Sequence, residues 1–428
     1  FDIIDNNKFS NIDVIIIDHH LSELTLPKVH SIINPNRYDE SNEFTQMAAV
    51  GVTFLFLMAL RKTLRDKDFF KLSIKEPNLV SFLDFVALGT VCDVVSLIGY
   101  NRLFVKIGLD LIKQRKNLPI SKIIENSNIN STPSSTDLGF IIGPQLNAAS
   151  RVDDSSLPVK FLISNNLSEI DSISRKLSLF NEKRKLIENN VFQEAIIQAE
   201  NQINNNYILV YGENWHHGVL GIVASRLIAR FNKPSIVLSF INQIGVGSAR
   251  SIRTIDLGKI ILDAKNDNIL ISGGGHKMAA GLKIHSTYLN NFKNHLDKSF
   301  KFFSNEIFQK IEIYDSKLSI NEINNDLLET LEKLEPFGSG NHEPKFIINN
   351  FIIKSVKVLK DKHLLIFTQN DFSSNLKAIC FNCIGTALGD YLINYKNKKL
   401  IIGCTIKRNN FDNISSPQII IKDAMIIN

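Results

Sequence analysis

In the first 165 residues, short apolar runs alternate with helical patterns. Residues 14–17 form a β-branched run that ends at Asp18 and predicts a buried parallel strand. Residues 47–64 have helical apolar spacing, and a second apolar segment, residues 79–91, leads to Asp93. Alternating strands and helices predict an α/β sheet, and such sheets bind ligands at the carboxyl ends of their strands. Asp18 and the two histidines after it lie at such an end.

A long helical pattern separates this region from a second α/β pattern. Over residues 166–203, apolar side chains recur at spacings of three and four, which predicts a connector helix. Its apolar face comprises Leu167, Ile170, Ile173, Leu177 and Phe180. The second pattern predicts a strand at 207–210, a helix at 219–231 and a strand at 235–240. It ends in a glycine run, residues 273–275, followed by His276.

The last part of the chain is dominated by short β-like segments. They cover residues 346–353, 364–367, 377–381, 400–406 and 418–421. Several short strands separated by polar turns predict a small barrel or sandwich. The expected class is therefore α/β with a β-rich C-terminal domain, divided at 1–165, 166–203 (the connector), 204–305 and 306–428.

Length and composition agree with a protein of several domains. The chain has 428 residues, 44% hydrophobic and 21% charged, and no uncharged apolar run approaches the roughly 20 residues of a membrane helix. The net charge of +6 favours anionic partners, nucleic acid among them, but is weak evidence alone. Residue 1 is Phe and the chain enters almost directly into a strand pattern, so we expect a fragment of a longer protein.

Four cysteines are scattered along the chain, and Cys380 and Cys383 form a C-x-x-C pair. A structural zinc site needs four ligands, and only Cys404 could join this pair from nearby. We expect ordinary, half-buried thiols in a β region, with a redox pair as the lesser alternative. Cytoplasmic location follows as the default for such a chain.

Three groups of residues are candidates for chemistry. Asp18, His19 and His20 offer a carboxylate and two imidazoles that suit Mn²⁺, Mg²⁺ or Zn²⁺, although a polar loop with a capping Asp has the same letters. The glycine run can turn backbone N–H groups toward an anion, with a tight turn as the alternative. Arg151 and Arg250 can grip phosphate, although surface salt bridges are the common role of arginine.

Six motifs in order give the chain a more specific resemblance, to the RecJ branch of the DHH phosphoesterases. The matching segments are Ile17-Asp18-His19-His20 with Ile33-Asn34-Pro35; residues 87–95, which end in Cys92-Asp93-Val94-Val95; residues 138–154, with Leu146-Asn147-Ala148-Ala149-Ser150-Arg151; Trp215-His216-His217-Gly218-Val219 with residues 221–227; Gly274-Gly275-His276 with Ala279-Ala280-Gly281; and Pro336-Phe337-Gly338 with Gly340-Asn341 and Glu343-Pro344. The resemblance runs from the first residues to at least Phe346. Beyond Phe346 only the general pattern of short β-like segments is similar.

The resemblance implies a partial DHH parallel-sheet domain, the connector helix, a DHHA1 domain and an OB-like barrel. It implies that His19 and Asp93, with Asp18, bind metal, two Mn²⁺ or Mg²⁺ ions in the complete protein. His20 would face the scissile phosphate, and His20 and Asp93 are the expected catalytic residues. The residues expected to hold the 5′ end and backbone of a single strand, between the two α/β domains, are Asn147, Arg151, Ser248, Arg250, Ser251, Gly274, Gly275 and His276.

In the barrel, stacking and phosphate contacts are expected from basic and aromatic residues, although for any one of them a core or solvated role is the commoner case. The candidates are Lys354, Lys357, Lys360, Lys362, Phe367 and Phe381.

The sequence departs from the family pattern at its start. The family's first two motifs, with three of the expected metal-binding carboxylates, are absent and would lie upstream of Phe1. We therefore expect that the chain does not hold both ions, and that its first sheet lacks edge strands. Ser150 replaces a usual Gly, which is a small change.

The expected function is metal-dependent 5′-to-3′ hydrolysis of single-stranded DNA to mononucleotides, in repair and recombination. The expected partners are single-stranded DNA, a helicase and a single-strand-binding protein, with no membrane, and the chain is expected to be a monomer. Two alternatives are a DHH phosphodiesterase acting on short RNA and a binder of single strands that does not cut them.

Overall fold

The structure is a computed structural model that describes residues 12–22, 24–41, 43–71, 73–129, 132–152, 155–309, 311–368, 376–409 and 415–426. The chain divides into two compact units. The first unit comprises Phe1–Lys116, Ser131–Gly139 and Glu312–Asn428, and the second comprises Asn117–Asn130 and Phe140–Ile311.

In its N-terminal part, the first unit pairs two short parallel strands, β1 (Ile15–Ile17) and β2 (Ser31–Ile33). The parallel strand predicted before Asp18 is therefore confirmed, but it is not buried as expected, because Ile15 is 49% exposed. The helices that follow are Ala49–Asp66, Leu83–Cys92 and Gly99–Lys113, with a 3₁₀ turn at Leu79–Phe82. The last two helices pack closely because Gly108 has no side chain: a Cβ there would lie 2.2 Å from the Leu83 carbonyl oxygen.

The C-terminal part of the first unit is a closed barrel. Its strands are β8 (Ser316–Leu318), β9 (Phe346–Leu359), β10 (His363–Thr368), β11 (Lys377–Cys380), β12 (Lys399–Asn409) and β13 (Ser416–Ile426). Their order is β10-β11-β13-β12-β9, and β9 also pairs with β10, which closes five strands, while β8 joins the edge of β9. All five predicted strands are confirmed.

This strand order is that of an OB fold. The third and fifth barrel strands, β11 and β13, are parallel, and the helix Ala387–Asn394 follows β11. β9 is longer than predicted because it serves two sides of the barrel, pairing with β12 before Ile353 and with β10 after it. Asn350, at φ 57°, marks the bend between these pairings. The first unit also contains the helices Ser135–Asp137 and Asn325–Lys333 and the 3₁₀ turn Ile320–Glu322. The π-helical turn Leu138–Ile142 follows directly on Ser135–Asp137 and ends in the second unit.

The second unit is built on a five-stranded sheet. Its strands are β3 (Ile208–Glu213), β4 (Ser235–Ile241), β5 (Ile244–Arg250), β6 (Ser272–His276) and β7 (Ala279–His285), in the order β3-β4-β5-β7-β6. Only β3 and β4 are parallel. The helices are Leu118–Asn126, Gly143–Val152, Leu157–Ile163, Leu167–Glu200, His217–Phe231, Leu257–Asn266 and Leu289–Phe300, with 3₁₀ turns at Ser286–Tyr288 and Asn305–Phe308.

The long helix Leu167–Glu200 confirms the helical pattern expected at 166–203. It buries Ile170, Ile173 and Leu177 of the predicted face, while Leu167, in its first turn, is 67% exposed. Two glutamines near its end cover the free edge of β3. Gln198 exchanges two hydrogen bonds with the backbone of Tyr211, and Gln202 exchanges two with Leu209. These amides take the place of a neighbouring strand and so protect an edge that could otherwise pair with another chain.

Each helix in the described part of the chain is too short or too polar to span a lipid bilayer.

Candidate metal centre and phosphate-binding residues

Asp18 follows directly on β1 and organises the turn that carries both histidines. Its Oδ1 accepts from the backbone N–H of His19 at 2.7 Å and of His20 at 3.3 Å, and lies 2.8 Å from Nδ1 of the His20 ring. Partial burial raises the pKa of Asp18, but the hydrogen bonds from His20 and from the backbone outweigh it and lower the pKa overall. Among the described residues, hydrogen bonds to this carboxylate all reach Oδ1, so Oδ2 is available to a metal.

His19 turns to the other side, toward Asp93. Its Nε2 lies 3.3 Å from Asp93 Oδ2, and the imidazole is largely buried, with 17% of its side chain exposed. Asp93 caps the C-terminus of the helix Leu83–Cys92, and its N–H donates to the Gly89 carbonyl. The next residue, Val94, has φ 60°, an unfavourable conformation for a β-branched residue. The strained turn ends the helix with the Asp93 carboxylate beside His19.

One potential ligand atom from each of Asp18, His19 and His20 lies within 4.8 Å of the others. Two imidazoles and two carboxylates, with Asp93 included, are ligands that Mn²⁺ and related divalent ions accept, so the residues present fit a metal centre. His20 differs from His19 in exposure, because 70% of its side chain is open to solvent. Its Nδ1 contacts Asp18, and its Nε2 takes no part in that contact.

Two asparagines after β2 hold the backbone of this turn, and the sequence reasoning did not identify the second of them. Asn34 is buried and donates to the His20 carbonyl at 2.8 Å. Asn36 donates from one Nδ2 to the carbonyls of His19, at 2.7 Å, and Thr45, at 2.9 Å. The Asn-Pro-Asn sequence directly after the neighbouring parallel strand was the available signal.

In the second unit, Arg151 and Arg250 both lie against the first turns of the helix His217–Phe231. Arg151 donates to the Gly218 carbonyl at 2.8 Å, and Arg250 donates to Ser248 Oγ at 3.1 Å. A Cβ on Gly221 would come within 2.8 Å of the Arg250 guanidinium, so only glycine admits it. Burial lowers the pKa of both arginines. Repulsion by Arg184 adds to the effect at Arg151, where Glu188 partly offsets it, and repulsion by Arg151 adds to the effect at Arg250. A bound anion would relieve that repulsion.

A second pair of arginines near Arg151 was not anticipated from the sequence. Arg184 and Arg226 share the carboxylate of Glu188, at 2.7 and 3.2 Å. The Arg226 guanidinium also stacks 3.7 Å above the centre of the Phe192 ring. The three charged residues come from two helices, Leu167–Glu200 and His217–Phe231, so the sequence carried no local signal for the cluster.

The glycine run forms part of a strand, not the tight turn given as the alternative above. Gly273, Gly274 and Gly275 belong to β6 and pair with β7. A Cβ on Gly274 would meet nothing within 4 Å, so this residue presents an open backbone face. Gly275 has φ 155° and its Cβ would lie 2.3 Å from the Ala279 carbonyl oxygen, so it must be glycine. His276 follows and is exposed.

The other predicted substrate residues differ in accessibility. Asn147 is exposed on the helix Gly143–Val152. Ser251 is only 3% exposed, and its hydroxyl donates to the Ile255 carbonyl at 2.9 Å. Asp153 and Asp154, which carried part of the resemblance, lie outside the described residues.

Of the cysteines, Cys380, Cys383 and Cys404 are buried in the barrel and Cys92 is half-buried; none of the four is in a disulfide. Burial raises the pKa of Cys380 and of Cys404 to about 12, and that of Cys92 to about 11. Thiols that stay protonated are poor nucleophiles and poor ligands, which favours ordinary thiols over a redox pair. Three of the four are buried rather than half-buried as expected.

The candidate lysines of the barrel, Lys354, Lys357, Lys360 and Lys362, are all exposed. Phe381 is 50% exposed and makes an edge contact with His363, with ring centres 5.3 Å apart. Phe367 is half-buried.

Comparison with known proteins assigns the chain to a family. Three family models match: "DHH family, N-terminal domain" at residues 1–90, "DHHA1 domain" at 204–305 and "RecJ OB domain" at 314–423. A relative from Salmonella typhimurium, named single-stranded-DNA-specific exonuclease RecJ, is 34% identical over 429 residues, covering 97% of this chain and 74% of the relative. The chain belongs to the RecJ family. The RecJ protein of Escherichia coli is 34% identical over 370 residues, covering 84% of this chain and 64% of that protein.

Solved RecJ structures have the same fold. A crystal structure of RecJ from Thermus thermophilus in complex with Mn²⁺ matches 97% of this chain and 58% of its own, with a TM-score of 0.79 at 23% identity. A structure of exonuclease RecJ bound to manganese matches 70% of this chain and 72% of its own, with a TM-score of 0.56 at 26% identity. The chain thus spans about half to three-quarters of the length of the RecJ proteins that it matches. The expected DHH, DHHA1 and OB organisation is confirmed.

Proposed function

We propose that this chain carries part of the active site of a metal-dependent exonuclease that hydrolyses single-stranded DNA from the 5′ end to mononucleotides. The observation that carries the proposal is the gathering of Asp18, His19, His20 and Asp93 at the end of a strand and the end of a helix. RecJ relatives named as single-stranded-DNA-specific exonucleases, and RecJ structures that contain Mn²⁺ or Mg²⁺, support it. A role in DNA repair and recombination is part of the proposal.

In this proposal Asp18, His19 and Asp93 hold metal, with two ions in the complete site. Divalent ions held there would clamp the phosphodiester and activate water. His20 contributes differently, because its ring is fixed through Nδ1 on Asp18 while its other nitrogen faces outward. It stabilises the charge on the scissile phosphate or protonates the leaving oxygen. Asn34 and Asn36 hold the backbone that sets both histidines.

The second unit contributes phosphate contacts. Arg151 and Arg250 are half-buried, repel one another and lack a carboxylate among their described hydrogen-bond partners, which favours an anion beside them. We assign Asn147, Ser248, Gly274, Gly275 and His276 to the same strand-binding role, with Ser251 as a support for the turn after β5. The exposed lysines of the barrel and Phe381 add backbone and base contacts.

The cellular setting follows from this assignment. We propose cytoplasmic location, action as a monomer, and cooperation with a helicase and a single-strand-binding protein. We also propose that the domains divide after residues 165, 203 and 305.

Two other functions compete with this one. A DHH phosphodiesterase for short RNA would use the same centre. The barrel at residues 314–423 argues against this function, because a very short RNA offers no strand for the barrel to bind. A binder that does not cut would need the arginines and the barrel but not the metal centre.

A cleavage assay separates the three. Mononucleotide release from a 5′-phosphorylated DNA strand is measured in Mn²⁺, for the 428-residue chain and for a version carrying the family's first two motifs ahead of Phe1. The proposal predicts Mn²⁺-dependent nucleotide release from the 5′ end by the extended version. Short RNA and duplex DNA should be degraded slowly, and a strand labelled at its 3′ end should lose that label slowly. Faster cleavage of short RNA would favour the first alternative. Strand binding without cleavage by either version would favour the second.

Salt dependence gives an independent test of the phosphate contacts. Each neutralised phosphate releases counterions, so the logarithm of the affinity should fall linearly with the logarithm of salt concentration, with a slope of about −0.7 per contact for a single strand. Arg151→Gln and Arg250→Gln should each reduce the slope. A slope near zero in the parent chain would contradict a basic binding surface.

A further inference from the structure

A small cavity of about 340 Å³ lies in the first unit, and it is lined mainly by aromatic and apolar groups. Its two sides are the loop before the helix Ala49–Asp66 and the first turn of the helix Gly99–Lys113. The lining residues are Glu43, Phe44, Gln46, Met47, Ile98, Gly99, Tyr100 and Asn101. The volume is at the lower end of the range of about 300–1,000 Å³ for sites of small organic ligands, which suits a single ring system.

Two aromatic rings in this cavity face solvent. Phe44 is 38% exposed and Tyr100 is 56% exposed, and their ring centres are 5.8 Å apart. Tyr100 in turn contacts the buried ring of Phe104 at 6.2 Å, which anchors the pair on the core. Phe44 has φ 60°, a conformation that is costly for a bulky side chain and that the surrounding contacts must hold in place.

Hydrogen bonds tie both sides of the cavity to the metal-centre segments. Asn36 bridges the carbonyls of His19 and Thr45, so the residue after Phe44 is fixed next to the turn of the two histidines. Asn101 bridges the carbonyls of Gln46 and Ser96, three residues after Asp93. The segments that carry the aromatic pair are therefore linked by hydrogen bonds to the segments that carry the candidate metal centre.

The polar groups of the cavity suit an uncharged, hydrogen-bonding ligand. Among the described residues that line it, the charged one is Glu43, which would repel a phosphate. Asn101 is 2% exposed, and its Oδ1 has no hydrogen-bond partner in the part of the chain that the structure describes. Gln46 is exposed and offers a further amide. Aromatic faces are groups on which nucleobases stack irrespective of sequence.

We propose that Phe44 and Tyr100 form a stacking site for one base of the single strand close to the scissile phosphate. This inference rests on the proposed function. A phosphate in the metal centre would be positioned by its charge alone; a stacked neighbouring base would fix where along the strand the cut falls. Stacking accepts any base, which is what an exonuclease without sequence preference requires.

The test measures, by fluorescence anisotropy, the affinity for 5′-phosphorylated oligothymidylate in EDTA, where no hydrolysis occurs. Phe44→Leu and Tyr100→Leu remove the rings but keep apolar side chains, and Tyr100→Phe keeps the ring. We expect each leucine variant to bind about 5- to 150-fold more weakly, which corresponds to about 1–3 kcal/mol per stacked base, and Tyr100→Phe to bind as the parent does. Phe69→Leu is the control, because Phe69 is 47% exposed in a similar pair with Phe70 in the same unit.

A series of strands with one abasic position each identifies the base. The parent chain should bind one abasic strand, with the missing base near the 5′ end, more weakly than it binds the intact strand. The leucine variants should bind that one abasic strand as tightly as they bind the intact strand. If the variants bind intact strands as tightly as the parent, or lose affinity equally on every abasic strand, there is no stacking site. A change in oligomeric state of the variants, without a change in strand binding, would instead make this face a self-association surface. If the parent binds no strand at all, the proposed function fails first.

Discussion

The hydrogen bonds of Asn36 make a sharp prediction about how the metal centre is held. One Nδ2 group donates to the carbonyls of His19 and Thr45. Asn36→Ala removes both bonds, and Asn36→Asp is isosteric but replaces the donor with an oxygen facing two carbonyl oxygens. At about 0.5–1.5 kcal/mol net per hydrogen bond, Asn36→Ala should lower the free energy of unfolding by about 1–3 kcal/mol, and Asn36→Asp by at least as much.

The effect on metal dependence should be larger than the effect on stability suggests. Groups that orient metal ligands typically account for about 10- to 100-fold in metal affinity or activity. In the chain completed at its N-terminus, both variants should therefore need about 10- to 100-fold more Mn²⁺ for half-maximal nucleotide release. Urea unfolding in EDTA gives the stability change separately, without the metal.

Asn206 provides the matched control. It also donates one Nδ2 group to two carbonyls, those of Phe300 and Phe303, but in the second unit. Asn206→Asp should destabilise the protein and leave the Mn²⁺ dependence unchanged. If Asn36→Asp has the same Mn²⁺ dependence as the parent while it is destabilised, Asn36 does not position His19, and the reasoning is refuted.

Three further predictions concern other parts of the chain. His20→Ala in the completed chain should abolish nucleotide release but keep the Kd for single-stranded DNA, and continued digestion would exclude the role given to His20. Replacing Gln198 and Gln202 together by Ala should lower the free energy of unfolding by about 2 kcal/mol or more and promote aggregation visible by light scattering, because four hydrogen bonds to the β3 edge are lost; unchanged urea unfolding would contradict it. The bidentate contact with Arg408 lowers the pKa of Glu332, so the contact stabilises the fold at pH values above the unfolded-state pKa of Glu332, and this stability is lost as the pH falls. Glu332→Gln should therefore lower the free energy of unfolding by about 0.5–1 kcal/mol at pH 7 and leave it unchanged in acid. A difference in the free energy of unfolding that does not vary with pH would exclude the ion pair as its cause.

The sequence was most informative where function depends on local order. Asp18, His19 and His20 are consecutive and follow an apolar run, so both the strand and the candidate ligands could be predicted. The strands of the barrel were also predictable, because their apolar residues are short runs between polar turns. The end of β9 was missed because, after Ile353, its exposed face carries lysines and its pairing depends on β10.

Other parts of the site depend on contacts between distant segments. The approach of His19 to Asp93 joins residues 74 positions apart, and only the family resemblance suggested it. The cluster of Arg184, Arg226 and Glu188 depends on which faces of two helices meet, and no spacing in the sequence records that. The sequence of the glycine run fits a tight turn as well as a strand, because glycine is permissive. Its strand conformation is imposed by pairing with β7.

The central claim is that Asp18, His19 and Asp93 hold a catalytic divalent ion. The most direct measurement is a crystal structure of the chain grown with Mn²⁺, with anomalous diffraction recorded to locate the metal. The account predicts a peak at about 2.0–2.4 Å from both His19 Nε2 and an Asp93 carboxylate oxygen, lost in Asp93→Asn. Anomalous peaks elsewhere with none at these residues, or a peak that persists unchanged in Asp93→Asn, would contradict it.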